Sequence, residues 1–179
     1  MSAGLVVRGR VRHVGTPSGL FGRSTKVSGM NRSLAAVAGG FSGTTVLTVL
    51  LLLFEVETRS QIGMFEVVAR FVGVPGNTTV GFALFVLAGT VAWPLLFVAA
   101  EESIPGTDPA IKGLGVGALL WIPFVLLGRG DLAGAIVLAF GGMTLVAHLA
   151  YGYVTGAVYA RLTGRTPPTE SFGDEAEPM

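Results

Sequence analysis

The chain has 179 residues, 51% of them hydrophobic and 13% charged, about half the charged fraction of an ordinary globular domain. It contains no cysteine, so structural disulfides, thiolate metal sites, c-type haem attachment and cysteine catalysis are excluded together. A formal charge of +1 says little in total, but the placement of the charges is informative: Arg8, Arg10, Arg12, Arg23, Lys26 and Arg32 precede the first acid.

Residues 1–29 mix Gly, Ser, Arg and Val without helical or strand periodicity, and two readings stay open. Either they form a disordered basic arm that touches anionic lipid headgroups, or they lie upstream of a true start at Met30. No separate apolar stretch with a small-residue cleavage site marks a secretory signal, so the first span is expected to direct insertion itself.

Four apolar runs, residues 34–54, 80–100, 110–128 and 132–160, then set the class. A hydrocarbon core of about 30 Å needs roughly 20 helical residues, and each run is long enough. The expected fold is an all-α membrane protein, a bundle of four transmembrane helices over residues 30–164. With an even number of spans, the N-terminal cations join Lys112, Arg161 and Arg165 on the cytoplasmic side, and Arg59, Arg70 and Arg129 fall outside. The positive-inside rule therefore predicts N-in, C-in.

The first span opens with Ala35, Gly39 and Gly43 every fourth position, a flat stripe that lets another backbone approach. After Phe54, Glu55 and Glu57, residues 60–72 read as a short helix at the outer interface. Ile62, Phe65, Val68 or Ala69, and Val72 recur at helical spacing, while Glu66 and Arg70 sit four apart. Pro75-Gly76-Asn77 turns the chain, and Asn77 or Thr78 caps the second span. Asn77-Thr78-Thr79 also matches the N-glycosylation pattern, but its position favours capping. Pro94 and Pro123 lie inside the second and third spans and are expected to kink them, freeing the carbonyls of Thr90 and Leu119.

An acidic turn over residues 101–109 follows, with Asp108 placed to cap the third span ahead of Pro109. Gly128-Arg129-Gly130-Asp131 makes the outer turn into the fourth span. That run is longer than a bilayer needs, so it must tilt, begin late or project. It carries a second small-residue stripe, Gly152, Gly156 and Ala160. The two stripes are expected to meet, within the bundle or across a dimer. Residues 165–179 are polar and acidic and are expected to be disordered.

His148 is the only histidine inside a span, with Tyr151 one turn away on the same face and Tyr159 two turns beyond. An intramembrane ionisable group is a candidate proton site or ligand. The structural alternative, a neutral imidazole hydrogen-bonded within the bundle, outweighs it, because no second intramembrane His, Cys or Met-rich cluster completes a site. Glu55 with Glu57, and Glu101 with Glu102, follow helix C-terminal ends where the dipole disfavours them. Ion pairing at the interface is the favoured reading, with Glu55 the first residue to test because it lies nearest the apolar core. No Gly-rich phosphate loop, HExxH or nucleophile elbow is present, so no catalytic residue, metal or cofactor is expected and the chain does not read as an enzyme.

Several blocks carry a resemblance as an ensemble: Met30-Asn31-Arg32-Ser33, Phe54-Glu55-Val56-Glu57-Thr58-Arg59, Ala69-Arg70-Phe71-Val72-Gly73-Val74-Pro75-Gly76-Asn77, Trp93-Pro94, Gly128-Arg129-Gly130-Asp131 and His148-Leu149-Ala150-Tyr151-Gly152. Over about three quarters of its length the chain resembles a family of small four-helix membrane proteins of unknown function found in halophilic archaea. The resemblance implies a cell-membrane location and assigns no catalytic residue. Two functions are expected to compete. One is a non-enzymatic accessory or assembly subunit of a membrane complex, a respiratory complex being one instance, whose partners are the bilayer, other membrane subunits or a second copy, and not nucleic acid. The other is a small homo-oligomeric transporter or proton-linked permease, with His148, Glu55 and the proline-kinked spans lining the path.

Overall fold

A computed structural model describes residues 30–58, 63–130 and 132–165. The expectations for residues 1–29 and 166–179, and those resting on Arg59, Ile62 and Asp131, lie outside the described residues. Within them the protein is all-helical, with five helices: α1 (Arg32–Glu57), the short α2 (Met64–Phe71), α3 (Thr78–Ser103), α4 (Pro109–Gly128) and α5 (Ala135–Thr163). All but α2 are long and apolar enough to cross a membrane.

Local chemistry sets the helix boundaries. Asn31, Asn77 and Asp108 each accept a backbone N–H of the following turn through the side chain, at 3.0, 3.1 and 2.8 Å. The capping expected of Asn77 and Asp108 is thus observed. The last helix does begin late, at Ala135 and not Leu132, because Gly134 takes a positive φ of 69° that no helix accommodates. It also runs three residues past Ala160. There Gly164 adopts φ 70°, Arg165 N–H bonds Ala160 O at 2.8 Å and Gly164 N–H bonds Arg161 O at 3.3 Å, a Schellman turn that folds Arg165 back over the helix end.

α5 is the central element, packed against α1 and α4, while α3 packs on α1 and reaches α5 through Gly89, Phe97 and Glu101. Close approach explains both interfaces. In a bilayer, lipid is as apolar as leucine, so helices associate through packing and hydrogen bonds, which small residues permit at short range. The stripe of α1 does meet α5, but not at the stripe of α5: a Cβ on Gly39 would lie 2.6 Å from Thr155 O, and one on Gly43 2.8 Å from Tyr151 O. Gly152 and Gly156 face α4 instead, against Gly113 and Pro109. Residues 151 and 155 differ by one position from 152 and 156, which on a helix is a rotation of about 100°. α5 therefore presents two faces to two neighbours.

α2 packs against α3 and α4. Its most deeply buried residues are Val67 and Ala69, both fully enclosed. Val67 joins a cluster with Leu47, Leu51, Phe124, Phe140 and Ala147, whereas Val72, placed on the apolar face by periodicity, is 53% exposed. The physical reason is that this eight-residue helix is wedged between neighbours, so its buried face is set by α3 and α4 and not by an interface plane. α3 and α4 scarcely touch one another, and the gap between them is a cavity of about 330 Å³.

Candidate functional site

Pro94 organises the middle of α3. Lacking an N–H, it cannot continue the α-helical ladder, and the helix answers with a π-helical turn over Ala88–Ala92, just before Trp93. Trp93 N–H reaches Ala88 O. The next carbonyl in that register, Gly89 O, would need an N–H from residue 94, which proline does not have. Tyr151 from α5 supplies the donor, its hydroxyl bonding Gly89 O at 2.8 Å in a buried site. The carbonyl expected to be left free was Thr90 O. The π turn shifts the register by one residue, so Gly89 O is the one rescued. α1 contributes Gly40, where a Cβ would collide with the Pro94 ring, Thr90 O and Gly89 O. At Pro123, by contrast, α4 is an uninterrupted helix.

His148 sits one turn before Tyr151 and is 6% exposed. Its Nδ1 lies 2.8 Å from Thr144 O, and its ring packs on Phe124 with centroids 4.9 Å apart. Both His148 and Tyr151 line the cavity between α3 and α4, together with Leu120, Pro123 and Phe124 of α4. The structure thus brings His148 and Tyr151 together. Glu55 is not on the cavity wall: it is half-buried at the end of α1, where its Oε1 accepts from Gly63 N–H at 3.1 Å and so holds the start of α2. Arg70, a possible partner for that carboxylate, donates to Gly128 O at 3.3 Å and caps α4.

Among the described residues the most enclosed charge is Glu101, ranked below Glu55 on the sequence alone. Glu101 is 3% exposed in a 3₁₀ turn closing α3. Its Oε2 accepts from Arg32 Nη2 at 2.9 Å and Tyr159 Oη at 3.0 Å, and its Oε1 from Arg165 Nη1 at 2.6 Å. Buried Lys112 Nζ donates to the Glu101 carbonyl at 2.8 Å. Arg32 also reaches Tyr159 Oη through Nε at 3.0 Å and Glu102 through Nη1 at 2.9 Å. All four long helices contribute.

Three members are mismatched to their own helices: Glu101 lies at a C-terminal end, Arg32 opens α1, and Lys112 belongs to the first turns of α4, whereas Arg165 follows the C-terminal end of α5, where a cation is favoured. Facing one another they compensate what the dipoles disfavour. Two signals were available, the placement of Tyr159 on the His148 face and the recurrence of basic residues at the same end of the first, third and fourth spans. Neither identifies Glu101 as the common partner.

Among the described residues no three His, Asp or Glu side chains gather to hold a metal ion. Tyr151→Phe is expected to lower stability by about 1–3 kcal/mol, the penalty for an orphaned buried carbonyl. In a Pro94→Ala background, where residue 94 regains its N–H, that loss should shrink; a double-mutant cycle of denaturant midpoints in detergent checks it.

Comparison with known proteins gives a family-level match. A family model described as "Family of unknown function (DUF6789)" covers residues 30–170. No curated protein and no solved structure matches the chain.

Proposed function

We propose, for a chain that belongs to the family of unknown function DUF6789, the role of a multi-pass cell-membrane protein that acts without catalysis as an accessory or assembly subunit of a larger membrane complex. The observation that carries this reading is that the buried carboxylate of Glu101 is neutralised within the bundle and that the Tyr151 hydroxyl is taken up by the backbone of α3. His148 bonds within its own helix, Tyr151 is committed to the π turn, and Glu101 is held by two guanidiniums and a phenol. Such an interior supports packing over conduction. The outward faces are apolar, with Leu34, Phe41 and Leu53 on α1, Leu119 and Leu126 on α4, and Leu138 and Val146 on α5 all more than half exposed. They suit lipid or neighbouring subunits.

A mild-detergent pull-down of the tagged protein from native membranes, with partners identified by mass spectrometry and the absorption spectrum recorded, tests the reading. Stoichiometric partner subunits are expected, and respiratory ones or a Soret band would specify the complex. A colourless homo-oligomer without partners would overturn it in favour of the second reading, a small transporter, which draws support from the cavity at His148 and Tyr151. Substitution of His148, which lines that cavity, separates the two: a transporter stays assembled and loses flux, whereas a packing subunit loses stability or partners.

The proposed orientation is N-in, C-in. Arg32, Lys112 and Arg165 gather at one end of the bundle, which supports placing that end in the cytoplasm. Because the chain has no cysteine, single replacements report orientation cleanly. In intact cells an impermeant maleimide is expected to label Val74→Cys, at the opposite end, and to label Ser103→Cys only after permeabilisation. The reverse pattern would invert the topology.

A further inference from the structure

The gap between α3 and α4 has the volume, walls and polar handle of a small-molecule site. Its volume is about 330 Å³, compared with roughly 150 Å³ for a dry apolar cavity that takes up benzene. Phe71, Phe85, Trp93 and Phe124 supply aromatic walls, and among the described residues no Asp, Glu, Lys or Arg lines it. A cation, a free anion or a phospholipid headgroup would therefore be desolvated with no charge to meet it. An apolar ring fits the surroundings, since aromatic faces and edges pair favourably with another ring.

His148 narrows the class further. Its Nδ1 approaches Thr144 O, and a carbonyl can only accept, so in the neutral imidazole Nδ1 carries the proton and Nε2 presents a lone pair. Nε2 has no hydrogen-bond partner among the described residues, while the neighbouring Tyr151 hydroxyl already donates to Gly89 O. His148 lines the cavity, and an unused acceptor on it calls for a donor on the ligand. Access does not require crossing the bundle, because α3 and α4 scarcely touch and the gap lies along helices that are apolar outside.

We propose that this cavity binds an uncharged aromatic molecule dissolved in the bilayer that bears a hydroxyl, a ring of the phenol class, seated among the aromatic side chains with its O–H donating to His148 Nε2. The inference stands apart from the assembly role, since a ligand site can exist with or without partner subunits and the pull-down does not probe it.

The test uses the full-length protein in phosphatidylcholine nanodiscs, titrated with a brominated naphthol whose heavy atom quenches tryptophan. Trp93 is the tryptophan on the wall; Trp121 instead donates to Gly141 O. The expected result is saturable quenching that Trp93→Phe abolishes. Unlabelled 1-naphthol should displace the probe on the order of five-fold more effectively than 1-methoxynaphthalene, which keeps the rings and lacks the donor. In His148→Leu the two competitors should become equivalent, and in Ala88→Phe, which fills the gap, saturable binding should vanish.

Quenching that rises linearly with probe and never saturates would mean partition into lipid and would overturn the site. Saturable quenching displaced equally by both competitors in the unsubstituted protein would overturn the hydrogen bond to His148. That comparison needs no variant, so the proposal stays decidable even if His148→Leu does not fold.

Discussion

Glu101→Ala is expected to destabilise the protein by about 2–3 kcal/mol, read as a lowered denaturation midpoint in detergent with the helical circular dichroism of the remaining fold intact. Removing one member of a buried ion pair typically costs about 3–5 kcal/mol. The estimate is lower because Arg32 and Arg165 are 41% and 42% exposed and can be rehydrated once their partner is gone. Tyr159 cannot, being fully enclosed, and its hydroxyl would keep only the Arg32 contact.

The reverse deletion should be worse. In the double variant Arg32→Ala, Arg165→Ala the carboxylate itself is stranded at 3% exposure with one phenol to hold it. Glu101→Gln keeps an acceptor for Tyr159 and should fall between native and alanine. If the double variant were instead milder than Glu101→Ala, the cluster would be a surface ion pair that happens to be shielded, and it would not be the lock joining the four helices. Salt offers a second check. At 1 M the screening length falls to about 3 Å, which weakens the exposed Arg32–Glu102 pair and leaves the enclosed Glu101 contacts largely intact.

What could be read from the residues, and what could not, divides along the distance over which each feature is determined. The four long helices follow from hydropathy and length, and the caps at Asn77 and Asp108 follow from side chains one turn away from the N–H they satisfy. The late start of α5 was open among several outcomes, since a positive φ at Gly134 depends on how the preceding turn closes. Pro94 announced a break, but whether the helix would kink or widen into a π turn depends on Tyr151, 62 positions away along the chain from the carbonyl it rescues.

Glu101 was visible as a carboxylate at a helix end. Its burial depends on Arg32 and Arg165, which are 69 and 64 positions distant, and no local pattern encodes that convergence. The small-residue stripes illustrate the same limit. A helical wheel states which face is flat, not which neighbour uses it, and the glycines of α4 that fit Gly152 and Gly156 were present at Gly113 and Gly117, four apart, without having been singled out.

That pairing yields the other large effect. Gly152→Ala is expected to lower stability by about 1–3 kcal/mol even though alanine is the better helix former by about 1 kcal/mol. A Cβ at residue 152 would collide with Gly113 O, and one at 113 with Gly152 O, so the contact is backbone against backbone and no side chain can rotate aside. α4 and α5 must separate, and the separation spreads to Gly117 and Gly156, which pack against the same pair of helices.

Gly142→Ala provides the control on the same helix. It is exposed and a Cβ there meets nothing within 4 Å, so the propensity gain should appear undiminished as a small stabilisation. Gly113→Ala should resemble Gly152→Ala, and the two combined should cost less than their sum, because helices already moved apart by one methyl accommodate the second more easily. Strict additivity would mean that each residue acts on a separate contact. It would also remove the reason for Gly113 and Gly152 to face each other, leaving the α4–α5 interface to be explained by the aromatic packing of Phe124 on Phe140 at its far end.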